Sequence, residues 1–171
     1  QDYNQMLNEN KEMQAVIIAT PPALHAPMSI AAMQGGKDVF CETPLALSVE
    51  ECKEIAKVAQ QTEKVFQVGN QYRYSSLYRH TVKFIKTGAI GEITQVKAQW
   101  HRKYSWRRAV ADSQYEKLLN WRLYKSTSLG LLSEYGSLQL DVVNWFLNDM
   151  PVSVSGLGGI DHWKDGREVY D

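Results

Sequence analysis

The sequence predicts an α/β fold in which a parallel sheet wrapped by helices gives way, near residue 88, to a sheet of a different kind. Three observations carry this expectation. Ala15 to Ala19 is an unbroken apolar run with β-branched residues, the pattern of a strand covered on both faces of a parallel sheet. The chain then alternates helical and strand-like patterns up to residue 87, as parallel strands joined by crossover helices require. From Ile93 the apolar period becomes two, which suits a strand with one covered and one polar face.

Taken in order, residues 2 to 9 read as a short helix turning Met6 and Leu7 toward a core. The strand Ala15 to Ala19 ends at Thr20-Pro21-Pro22, because proline has no backbone donor with which to extend a central strand. A helix from Ala26 offers Ile30, Ala31, Ala32 and Met33 as apolar surface and closes at Gly35-Gly36, a left-handed cap. Lys37 to Cys41 is the next strand, and a second proline turn, Glu42-Thr43-Pro44, follows it. Ser48 and Glu51 form a capping box for a helix with Cys52, Ile55, Ala56 and Ala59 on one face. Lys64 to Gly69 is a third strand, and Asn70-Gln71-Tyr72-Arg73 is the loop after it. Ser76 to Thr87 suits a helix with Leu77, Phe84 and Ile85 inward, Lys83 and Lys86 near its negative end, and Gly88 as its stop.

In the second half, Val96, Ala98 and Trp100 alternate with Gln95, Lys97, Gln99 and His101. Residues 102 to 127 are rich in Arg, Lys, Trp and Tyr without a clear period, the composition of a long structured loop that meets polar ligands. Leu131 to Leu147 reads as a helix with Leu131, Tyr135, Leu138, Val142, Trp145 and Phe146 on or near one stripe, and Val152 to Leu157 as a final strand. Parallel strands of the first half bring both proline turns to their carboxyl ends, where open α/β sheets bind ligands; this points to a dinucleotide-binding domain.

Bulk composition narrows the partners. Nineteen basic residues balance nineteen acidic ones, so the chain has no electrostatic footprint for nucleic acid or an anionic membrane. No apolar run approaches the roughly 20 residues that span a bilayer, so a soluble chain is expected, cytoplasmic or periplasmic. Cys41 and Cys52 lack metal-ligand spacing and read as buried thiols, and no metal site is expected.

The ordered set AVIIATPP, HAPMSIAAMQGGKDVFCETPL, QVGNQYRY, KTGAIGEI and SEYGSLQLDVVNWFL resembles the Gfo/Idh/MocA oxidoreductases, the glucose-fructose oxidoreductase and inositol dehydrogenase group. The resemblance implies a partial Rossmann-type parallel sheet over residues 1–87, the C-terminal half of a nucleotide-binding domain. It implies that residues 88–171 begin an α+β substrate and oligomerisation domain with an open, mostly antiparallel sheet. It also implies NAD or NADP as cofactor, a carbohydrate-like or polyol substrate, and a homo-oligomer in which exposed sheet surface associates. A glycine-rich GxGxxG turn, which cradles pyrophosphate, is expected upstream of residue 1, so residues 1–171 alone are expected to bind dinucleotide weakly and to be inactive.

By the same resemblance, Thr20, Pro21, Pro22, His25, Glu42, Pro44 and Gln71 contact the cofactor, and Arg73, Trp106, Arg122 and Asp141 the substrate. From the residues themselves, His25 serves equally as a cap for the helix it precedes. Arg122 is the best candidate for an anion or hydroxyl clamp through its planar fork, with a salt bridge to Glu134 or Asp141 as the alternative. Two family positions are altered. The usual Glu-Lys-Pro lysine is Thr43, and the usual helix histidine is Leu138; neither replacement moves a proton near neutrality. Proton handling then falls to Thr43 as a hydrogen-bond donor, or to Tyr104, Glu134, His101, Lys103 or Tyr135, with Arg102, Lys103, Arg107 and Arg108 as cations near Tyr104. Three functions are compatible: a redox enzyme, an NAD-dependent glycosidase with Trp100, Tyr104, Trp106 and Trp121 stacking on sugar, and a non-catalytic member that keeps the fold. The Thr43-Pro44 bond is expected to be cis.

Overall fold

The computed structural model describes residues 2–101 and 103–171. Helix α1 (Tyr3–Glu9) starts at Asp2, whose carboxylate accepts the Asn4 amide, and buries Leu7 while Met6 stays outside. Strand β1 (Ala15–Ile18) leads through a 3₁₀ turn, Pro22–Leu24, into α2 (His25–Gln34). Gly36, at φ +77°, supplies the left-handed step that returns the chain to β2 (Asp38–Cys41). Helix α3 (Val49–Thr62) carries the expected capping box, with Ser48 Oγ accepting the Glu51 amide and Glu51 accepting the Ser48 amide. Strand β3 (Phe66–Val68) and a 3₁₀ turn, Gln71–Tyr74, precede α4 (Ser76–Lys86).

The three strands are parallel in the order β1-β2-β3, with Ile18 opposite Cys41 and Cys41 opposite Val68. Sequential neighbours joined by helices are what right-handed crossovers produce. Helices α2 and α3 pack together, and Ile18, Ala26, Ala32, Met33, Val39, Cys41, Ile55 and Val58 form one buried cluster with Leu7 and Ala46. On α3 the inward stripe uses Val58, and Ala56 is exposed. The opposite sheet face is open at Ile17, which is 77% exposed.

Two expectations about faces are corrected. On α4 the inward stripe is Tyr78, Val82 and Ile85, while Leu77 and Phe84 point to solvent. Helical spacing offered both stripes; the choice is made by Tyr78, which stacks on Tyr72 at 4.8 Å and meets Phe146 at 6.2 Å. Neither 93–101 nor 152–157 forms a strand ladder among the described residues. Residues 96–100 run extended along the last helix, where Gln139 donates to the Gln99 carbonyl, and Val152, Val154 and Leu157 are fully solvated. Alternation specifies a strand only when a partner completes its hydrogen bonds, and neither segment has one here.

The long loop after residue 102 is ordered by short turns: Ser113–Tyr115, then α5 (Glu116–Leu119), then Trp121–Leu123. A π-helical turn, Leu132–Gly136, continues directly into α6 (Ser137–Leu147). Gly136 permits that wide turn, since a Cβ there would lie 2.7 Å from Leu132 Cδ1. Among the described residues no helix is long and apolar enough to cross a membrane, and no three His, Cys, Asp or Glu side chains converge as a metal site.

Candidate functional site

The two proline turns lie side by side because β1 and β2 are parallel and in register. The Glu42 amide donates to the Ile18 carbonyl at 2.9 Å, and the Gly69 amide to the Cys41 carbonyl at 2.8 Å. His25 fastens one turn to the other. Its ring is 1% exposed, with Nδ1 2.8 Å from the Pro44 carbonyl oxygen and Nε2 2.8 Å from that of Thr20. Carbonyls only accept, so whichever ring nitrogen carries a proton donates it to the carbonyl it faces. With both nitrogens aimed at the main chain, the role His25 plays in the structure is to position the turns; neither nitrogen is open to a ligand. Pro22 and Pro44 are buried, Thr20, Pro21 and Thr43 are half-buried, and the Thr43-Pro44 bond is cis.

Glu42 is exposed at the end of β2, and Gly69 makes room for it: a Cβ on Gly69 would stand 2.8 Å from Glu42 Oε2 and 3.2 Å from Phe40 Cζ. Sequence reading treated Gly69 only as the end of a strand. The missing side chain lets the Glu42 carboxylate lie against the end of β3, which sets an acidic group at the sheet's carboxyl edge. Cys41, beneath this edge, is fully buried, and burial pushes its thiol up to about 11.

The π turn Leu132–Gly136 carries Glu134. Its side chain is 7% exposed and accepts from Arg122 Nε at 3.2 Å and from Ser128 Oγ at 3.2 Å. Burial raises the Glu134 pKa, opposed by the Arg122 cation, the hydrogen bonds from Ser128 and Arg122, and the nearby His25. Arg122 therefore makes the ion pair with Glu134 that its sequence allowed, with its guanidinium 4.1 Å from the Trp121 ring centroid.

Beside this pair opens a cleft of about 180 Å³ lined by Tyr104, Trp106, Arg108, Leu119, Asn120, Arg122 and Tyr135. Tyr104 and Trp106 thus share one space with Arg122, which comes from the later Trp121–Leu123 turn. Trp106 reaches it from a left-handed backbone, φ +63°, and packs on Tyr135 at 5.6 Å; Trp100 stacks on the same ring at 4.8 Å. Asn120, 1% exposed, frames the rim by accepting the Arg108 amide at 2.7 Å and donating to the Arg108 carbonyl at 3.1 Å. Arg107 is not a free neighbour of Tyr104, since it pairs with Glu116 at 2.6 Å and Asp165 at 3.5 Å; Arg102 lies outside the described residues.

Arg73 and Asp141, both expected at the substrate, bind each other. Two bonds of 2.8 Å join the Arg73 fork to the Asp141 carboxylate, which raises the Arg73 pKa, and Asn70 reaches the same carboxylate at 3.5 Å. This pair locks the loop after β3 to α6. Gln71 is exposed in that loop, and Leu138 is buried in α6 as an apolar wall. The pairing of Arg73 with Asp141, the π turn and the framing Asn120 were not legible in the sequence; Gly136 inside a helical pattern was the one available signal for the π turn.

Residues 1–70 match the oxidoreductase family with the NAD-binding Rossmann fold, and residues 78–171 match the Gfo/Idh/MocA C-terminal domain. The class these matches define is an oxidoreductase family with an NAD-binding Rossmann fold. The chain belongs to the Gfo/Idh/MocA family. It is 32% identical over 142 residues to a glycosyl hydrolase family 109 protein of Shewanella pealeana, covering 79% of this chain and 31% of that protein. It is 31% identical over 153 residues to the 2,7-anhydro-N-acetylneuraminate hydratase of Escherichia coli, covering 90% of this chain and 38% of that enzyme. Among solved structures, myo-inositol 2-dehydrogenase from Lactobacillus plantarum superposes with a TM-score of 0.65 at 27% identity, covering 86% of this chain and 41% of that one. The chain spans about a third of the length of these curated relatives.

Proposed function

We propose that the whole protein is an NAD(P)-dependent oxidoreductase acting on a sugar-like or polyol substrate, assembled as a homo-oligomer, with residues 1–171 supplying the substrate side of the site. The observation that carries this reading is the ion pair of the buried Glu134 carboxylate with Arg122, a residue that lines the Tyr104–Trp106 cleft. The turns, with Glu42 seated against Gly69, suit one side of a dinucleotide: Thr20, Pro21 and Pro22 beside the ribose and diphosphate, Glu42 on a ribose hydroxyl, with Pro44 and Gln71 at the margin. When bound, the nicotinamide supplies a hydride acceptor or donor. Glu134, whose burial keeps its proton affinity above the usual carboxylate range, takes the proton of the substrate hydroxyl. Arg122 holds the orientation of Glu134, Thr43 and Tyr104 donate hydrogen bonds, and Leu138 excludes water.

The second reading, an NAD-dependent glycosidase, is supported by Thr43 and Leu138 at the altered positions and by a family 109 glycosyl hydrolase among the relatives. One set of assays on the full-length protein separates the two. A redox enzyme reduces added NAD or NADP in step with product from inositols or aldoses, and Glu134→Gln lowers kcat by about 10²–10⁴-fold. A glycosidase turns over nitrophenyl glycosides without net reduction of cofactor. Activity in neither assay, or a Glu134→Gln variant as fast as the parent, rejects the assignment.

A further inference from the structure

We infer that the Tyr104–Arg122 cleft is built for an acidic sugar, one bearing a carboxylate such as a uronate or aldonate, with Arg108 as the residue that selects it. The inference deepens the reading of this cleft as a carbohydrate site and rests on it. Arg108 lines the cleft together with Arg122, and no carboxylate lines it with them. The carboxylates nearby are taken: Glu116 by Arg107, Tyr124 and Asn120, Asp165 by Arg107 and Arg167, and Glu134 by Arg122 and Ser128. Among the described residues the Arg108 guanidinium has no hydrogen-bonding or ionic partner, and Arg122 uses only Nε, leaving its two terminal amines available.

An exposed arginine is ordinarily a solvated one. This one differs in how its backbone is held. The fully buried Asn120 amide grips Arg108 at both its N–H and its C=O, and Glu116 fixes that amide in turn at 3.1 Å. A side-chain amide buried to hold one main-chain residue fixes where the side chain of that residue starts, and the planar fork limits how it ends. Arg122 is held at its own end by Glu134 and by stacking on Trp121. Two guanidiniums at one aromatic-walled cleft, with the single carboxylate of Glu134 paired to Arg122 alone, leave a net positive charge that a neutral polyol does not answer. A ligand carboxylate answers it with bidentate, charge-assisted bonds, while Trp106 and Tyr104 offer faces and edges to the ring.

The test is calorimetric titration of the full-length protein with glucuronate, galacturonate and gluconate, each against its neutral counterpart glucose, galactose or glucitol. At least one acid is expected to bind about tenfold or more tightly than its counterpart. Arg108→Leu is expected to remove most of that ratio, Arg108→Lys to keep only part of it, and Arg79→Leu, on the exposed face of α4, to keep all of it. No acid preferred over its counterpart, or a preference untouched by Arg108→Leu and Arg108→Lys, overturns the inference. Because binding is read without turnover, the outcomes separate: neutral polyols oxidised with no acid preference leaves the enzyme assignment standing, and Arg108-dependent acid binding without any turnover leaves this inference standing.

Discussion

Residues 3–86 and residues 88–171 are held together in different ways. The first region is a sheet with two helices packed on one face, and its interior is mainly apolar, with Ile18, Met33, Val39 and Ile55 each 3% exposed or less beside the buried polar groups His25, Ser29 and Lys37. The second has no strand ladder among its described residues. Its buried groups include Asn120, Ser128 and Arg167, and it is tied by the pairs Arg107–Glu116, Arg167–Asp165 and Arg122–Glu134. Apolar burial is non-directional and tolerant, whereas buried polar groups stabilise only when every partner is in place. The scaffold half therefore positions turns, and the polar half specifies a cleft.

That contrast can be broken by mutation, and the largest effect is expected in the apolar half. Ile55→Ala, at 1% exposure, is expected to cost about 2–5 kcal/mol, read by denaturant unfolding with a probe in residues 3–86. Asn120→Ala strips partners from the Arg108 main chain and is expected to cost about 1–3 kcal/mol, with faster amide exchange confined to the second region. Equal loss of protection in both regions would erase the distinction. Ser48→Ala removes half of the α3 capping box and is expected to cost about 0.5–2 kcal/mol, again in the first region alone.

The Arg73–Asp141 pair crosses between the regions, and with Arg73 42% exposed its coupling in a double-mutant cycle is expected to be only about 0.2–1 kcal/mol. A coupling of several kcal/mol would mean that the two halves form a single cooperative body. The pH response sharpens the picture further. Glu134 holds its proton more tightly folded than unfolded, so its contribution is full below the ordinary carboxylate pKa and declines as pH rises from there through the raised value. Asp171 has the opposite sign: amides of Asp161, His162 and Trp163 hold it at about 2, so its contribution is present above the ordinary aspartate value and is lost as pH falls toward 2. Glu134→Gln is expected to remove the first slope and leave the second.

The same contrast explains what the sequence disclosed. Local chemistry was enough for the Ser48–Glu51 box, the Gly36 return, the proline ends of β1 and β2 and the parallel order that follows from crossovers. It was enough, too, for Leu7 inside, though Met6 was wrongly paired with it. What depended on a distant partner was not legible. Tyr78 rather than Leu77 faces inward because Tyr72 and Phe146 are there to meet it. The alternation after Ile93 and in Val152 to Leu157 promised strands, yet no ladder partner lies among the described residues. At the site, residue types pointed to Arg122, Tyr104 and Glu134, but their union through a π turn, the mutual capture of Arg73 and Asp141, and the space left by Gly69 are tertiary facts.

The proposed nicotinamide dinucleotide site lies at the two proline turns of the full-length protein. The most direct measurement is mass spectrometry of small molecules released on denaturing that protein, purified without added cofactor, followed by titration of the emptied protein with NAD and NADP. Release of one of them, or saturable binding weakened by Glu42→Ala, is the expected result. No released dinucleotide and no binding of either would contradict it.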